Sequence, residues 1–180
     1  MNFFQDISDF SNLEHYLPIL NGCINTDMFA LFLLDFSIIH SKYLDIWYEK
    51  YDIDASIVNV CVLFLVIIVT RFLYKYIFSD FTIWKFIGLA IIVQFIHDVC
   101  FYFIIFNLKN KFVVFFKRYA RDSGYRLLLG NAVMITVAVL GSSSFATMST
   151  NLNVIFLVLE LYVLPFLIHG KKKSTLLKNK

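Results

Sequence analysis

One run of the chain, residues 87–107 (IGLAIIVQFIHDVCFYFIIFN), is apolar over a length that crosses a bilayer, yet it carries Gln94, His97 and Asp98 near its middle. A spanning helix needs about 20 predominantly apolar residues. A charged side chain at mid-depth costs at least ~3 kcal/mol on insertion scales, so it faces other helices or water rather than lipid. A bundle of spanning helices meets both demands. Gln94, His97, Asp98, Phe101 and Tyr102 recur at i, i+3, i+4, i+7 and i+8, which places them on one helix face. That face is expected to turn inward.

The composition agrees. Of 180 residues, 59% are hydrophobic and 16% charged, against about 45–50% and about 25% in ordinary soluble domains. Mean hydropathy is +0.73. The start, MNFFQDISDF, carries Asp6 and Asp9 and no basic region, and does not read as a cleavable signal. Cys23, Cys61 and Cys100 are far apart and have no metal-ligand spacing, so they read as small hydrophobes.

The fold expected is all-α, a polytopic bundle of five spans at 27–46, 57–78, 82–107, 127–149 and 153–169. The alternative is four spans plus an interfacial helix, because Asp35, His40, Lys42 and Asp45 interrupt the first segment. Residues 1–24 read as an amphipathic helix, with Phe3, Phe4, Ile7 and Phe10 at helical spacing, and Pro18 and Gly22 as its breakers. No internal repeat is evident, and segments 1–2 do not superpose on segments 4–5.

Charge sets the orientation. Residues 1–54 hold nine acids and two bases, and residues 55–180 hold fourteen bases and four acids. The linker 107–126 has six bases, and the tail 171–180 has five lysines. Two spans separate these clusters, so they share one side, which the positive-inside rule makes cytoplasmic. The N-terminus is then outside. In the linker, Phe112, Val113, Phe115, Phe116 and Tyr119 oppose Lys111, Lys117, Arg118 and Arg121, the pattern of an interfacial helix over 111–122. Together with Lys171, Lys172 and Lys173 it is expected to meet an anionic inner leaflet or an acidic protein. Two short basic clusters between apolar spans do not form a nucleic-acid-binding pattern.

Asp98, His97, Glu160 and Asp35 lie at similar depth from the cytoplasmic ends, with Gln94 and Asn131 nearby and Arg71 able to reach in. They are expected to form one buried polar layer. Such a layer fixes helix packing by interhelical hydrogen bonds, or serves as a proton or cation path. A third reading is an intramembrane enzyme. A single His beside a single Asp gives no metal set, and no cofactor is expected. Ala138, Gly141, Ser142 and Ala146 form a small-residue face, expected to pack on segments 3 and 5.

Four stretches, WYEKYDIDASIVN, FTIWKFIGLAIIVQFIHDVCFY, FFKRYARDSGYRLLLGNAV and ELYVLPFLI, resemble a group of small multi-pass membrane proteins of nucleocytoplasmic large DNA viruses. The resemblance covers residues 43–168 and centres on the Gln94, His97, Asp98, Phe101, Tyr102 face. It implies a viral protein in a membrane beneath a capsid. A structural component there is expected to contact capsid or scaffold proteins through the basic linker and tail, with further copies of the chain as the other expected partner. It implies no established reaction. Members of the group carry an acid where this chain has Asn59, a departure that argues against a part for segment 2 in any chemistry.

Overall fold

The structure, a computed structural model, describes residues 4–36, 42–106, 108–109 and 111–178; the side chains of 105–106 and 170–178 lie outside that description. Among the described residues there are seven α-helices and no strand: α1 (Tyr16–Asp35), α2 (Lys42–Tyr51), α3 (Ile53–Ile77), α4 (Ile83–Phe106), α5 (Lys111–Ser123), α6 (Tyr125–Phe145) and α7 (Thr150–Lys178). Five segments, Leu13–Asp35, Ile53–Ile77, Ile83–Ile104, Tyr125–Phe145 and Thr150–His169, are long and apolar enough to cross a membrane. The chain is a multi-pass membrane bundle.

The first span is Leu13–Asp35, not 27–46. Pro18 sits in the first turn of α1, where a missing N–H costs nothing, so it starts the helix rather than breaking it. Lys42–Tyr51 forms a separate short helix, and His40 lies outside the described residues. The N-terminal segment is not an amphipathic helix either. Asp6 takes the Ser8 N–H and hydroxyl, and Asp9 those of Ser11. Such local turns compete with helix formation. Residues 4–12 instead run as a strap over one end of the bundle. The Ser143 hydroxyl donates to the Gln5 carbonyl at 2.5 Å, and the Arg71 guanidinium donates to the carbonyls of Asp9 and Asn12.

α1 is the central helix and packs on α3, α6 and α7. α4 lies against α3 and α6 on the side away from α7. The small-residue face of α6 meets α1, not the third and fifth spans. Gly22 lies so close to Ser142 that a Cβ there would stand 2.5 Å from the Ser142 nitrogen and 2.8 Å from its Cα. This close approach explains a glycine in mid-helix. Ala138 and Ser142 are fully buried; Gly141 and Ala146 are partly covered.

α2 and α5 lie side by side at the end opposite the strap. The aromatic face of α5 is covered by α2: Tyr51 stacks on Phe112 at 4.6 Å and Trp47 on Phe115 at 5.2 Å. It is therefore part of the protein core rather than inserted among acyl chains.

The structure holds a repeat that the sequence does not make evident. α1–α2–α3 and α4–α5–α6 follow one plan, in the same direction. α2 turns into α3 at Asp52 (φ 50°, ψ −128°) and α5 into α6 at Gly124 (φ 53°, ψ −131°). At each elbow the N–H donates to a carbonyl four residues back, Tyr48 or Ala120, both at 3.0 Å. Counting on from the elbows, Leu63 corresponds to Ile135, Val66 to Ala138 and Ile67 to Val139, all buried. Thr70 donates to the Val66 carbonyl at 2.7 Å, and its counterpart Ser142 to the Ala138 carbonyl at 2.6 Å. Across the short helices the contacts are reciprocal. Trp47 stacks on Phe115 (5.2 Å, 19°), while their counterparts Tyr119 and Tyr43 stack likewise (5.2 Å, 20°). Such an exchange of partners marks a two-fold relation. α7 stands outside the repeat. The repeat relates the first two spans to the next two, not to the last two, and its first unit begins with the span Leu13–Asp35.

Candidate functional site

Asp98 is held by amides. Gln94 Nε2 donates to its Oδ1 at 2.7 Å from the preceding turn, and Asn131 Nδ2 of α6 to its Oδ2 at 2.8 Å. His97 Nδ1 lies 3.3 Å from Oδ1, and the ring stacks on Phe101 at 5.9 Å. Gln94 is buried, but the His97 and Asp98 side chains are 23% and 19% exposed.

A second carboxylate site was not foreseen. Asp27 of α1 is fully buried. Its Oδ1 accepts from the Tyr48 hydroxyl at 2.6 Å and from Asn59 Nδ2 at 2.9 Å, and Trp47 Nε1 donates to Asn59 Oδ1 at 3.3 Å. Burial, reinforced by the Asp27 carboxylate, pushes the Tyr48 phenol well above the usual 10.0. Asn59 therefore does join the third helix to the polar chemistry, contrary to the expectation drawn from its departure from an acid. Asp27 and Asn59 are separated by 32 residues, Asp98 and Asn131 by 33. The two pairs occupy equivalent places in the repeat. That spacing was the signal available in the sequence.

The single layer does not form. Glu160 of α7 faces α1, where Asn25 approaches it, and both its buried oxygens lack a hydrogen-bond partner. α7 packs on α1 and α2, whereas α4 packs on α3, α5 and α6. Asp35 is the exposed last residue of α1. Arg71 is fully buried at the opposite end, over the Tyr16 ring at 4.7 Å, where it clamps the strap. A further pair, Asn21 Nδ2 donating to the Asn153 carbonyl at 2.8 Å, ties α1 to α7.

On the basic surface, Lys111, Arg118 and Arg121 are exposed and Lys117 is half-buried. Arg121 Nε pairs with Asp122 at 3.2 Å, and the Tyr43 hydroxyl donates to the same carboxylate. These bonds hold the Asp122 carboxyl below its usual value and raise the Tyr43 phenol. The side chains of Lys171, Lys172 and Lys173 lie outside the described residues.

Among the described residues, no three His, Cys, Asp or Glu side chains are grouped to hold a metal ion. A pocket of about 60 Å³, lined by Gln5, His15 and Asn153 among others, opens near the strap. Comparison with protein-family models, curated proteins and solved structures finds no match for the chain.

Proposed function

We propose that the protein is a structural component of a membrane, one whose basic end faces the cytoplasm and contacts an acidic partner through α5 and the lysine-rich end of α7. The observation that carries this reading is how the intramembrane carboxylates Asp27 and Asp98 are used: each accepts hydrogen bonds from an asparagine on a neighbouring helix. Interhelical bonds of this kind are worth roughly 0.6–2 kcal/mol and serve to fix packing. The viral resemblance adds the setting, a virion membrane with capsid or scaffold proteins as the partner. The test is Asp98→Asn with His97→Gln in the full chain. Insertion and capture of the acidic partner are expected to stay normal, while reversing the charge of Lys111, Arg118 and Arg121 abolishes capture.

Glu160 favours a second reading, a proton- or cation-conducting protein, because its two buried oxygens lack hydrogen-bond partners. Liposome flux between pH 5 and 8 separates the two. Flux that Glu160→Gln abolishes would replace the structural reading; a flat record supports it.

A further inference from the structure

The two carboxylate–asparagine pairs are equivalent in the repeat but are not finished alike. In the first unit the Tyr48 hydroxyl reaches Asp27 and its ring closes the site, leaving Asp27 fully buried. The counterpart of Tyr48 is Ala120: each residue supplies the carbonyl that accepts the elbow N–H, from Asp52 in one unit and Gly124 in the other. Alanine brings neither ring nor hydroxyl. His97 contacts Asp98 Oδ1 from its own helix, at 3.3 Å against 2.6 Å for the phenol, and does not seal the site. The carboxylate stays 19% exposed. Oδ2, with Asn131 as its donor, has room for a second hydrogen bond. Aromatic surface borders the opening: the His97 ring stacks on Phe101, which meets Phe116 edge-on at 5.6 Å. Next to it on α4, Phe95 and Val99 are exposed on the flank the bilayer covers.

From this asymmetry we propose that the Asp98 site binds an apolar, bilayer-dissolved molecule bearing a hydroxyl group, which fills the place that Tyr48 fills in the first unit. The hydroxyl donates to Asp98, and the apolar body lies against His97, Phe101 and Phe116. An acceptor with an open lone pair at an apolar opening favours a hydroxylated ligand over its deoxy analogue, because only the hydroxyl can use it.

The probe is 4-fluorophenol, followed by ¹⁹F NMR on the full chain in nanodiscs, with 4-fluorotoluene as the matched molecule without a hydroxyl. Both partition into lipid, so only saturable, protein-dependent binding is scored. Saturable binding of 4-fluorophenol, at least tenfold tighter than 4-fluorotoluene, is expected, and Ala120→Tyr is expected to weaken it at least tenfold by restoring the missing side chain. Equal binding of the two probes overturns the proposal, as does no saturable binding of either. That comparison is made on the unaltered chain and needs no variant to fold. Binding that persists in a folded Ala120→Tyr protein, judged by helical circular dichroism, overturns the assignment to this site.

Discussion

Single side chains decide how the helices close on one another. Gly22 and Gly141 face each other across α1 and α6, but their surroundings differ. A Cβ on Gly141 would come no nearer than 3.5 Å to Gly22, an ordinary contact, whereas one on Gly22 would strike the Ser142 backbone. Gly22→Ala is therefore expected to destabilise the bundle by about 1–3 kcal/mol, the range for overpacking, and Gly141→Ala by far less. Thermal unfolding in detergent reads both; equal effects would contradict the packing described. Tyr48→Phe removes one of the two donors to Asp27 Oδ1 and is expected to cost about 1–3 kcal/mol. The Gln94, His97, Asp98 face was legible in the sequence because helical spacing alone groups it. The Asp27 site was not. The apolar pattern puts Asp27 at the mouth of a span over 27–46 and Tyr48 beyond its end, whereas the span that forms is Leu13–Asp35.

Elements carry the next set of consequences. α2 and α5 each run into a spanning helix through a positive-φ elbow, one built on Asp52 and the other on Gly124. A non-glycine residue in such a conformation costs about 1–3 kcal/mol. Asp52→Gly is expected to stabilise the protein, and Gly124→Asp to destabilise it, by part of that amount; thermal unfolding shows the sign. The tie between the two short helices also depends on pH. The Asp122 carboxyl is depressed below 3.8, first by the Tyr43 hydroxyl and then by Arg121. Its contribution is present above 3.8 and is lost as pH falls through the depressed value. Tyr43 is raised above 10.0 by the same bond, so its contribution is present below 10.0 and is lost as pH rises through the raised value. Trp47, stacked on Phe115 between the helices, reports this in its fluorescence. The emission is expected to hold between those limits and change outside them. The four later spans, the basic helix and its end at Gly124 could be read from the sequence; the elbow at Asp52 could not, because no glycine marks its conformation.

At the scale of the whole molecule, the strap and the short helices lie at opposite ends of the spans. A single cysteine at Ser79 or Thr147 is expected to label from one side of a sealed vesicle, and one at Lys111 or Arg126 from the other, in a background without Cys23, Cys61 and Cys100. Labelling of all four positions from one side would refute the five-span path. The repeat stayed hidden because its units share a geometry of bonds and buried positions more than residue identity. Arg71 corresponds to Ser143, and Tyr48 to Ala120.

Arg71 and Ser143 are counterparts, and both hold the same short peptide, residues 4–12, one from each half. A lone segment laid over a duplicated body cannot obey its symmetry. It acts as a clasp, adding one tie that neither half repeats, at the end where α1 already packs closely on α6.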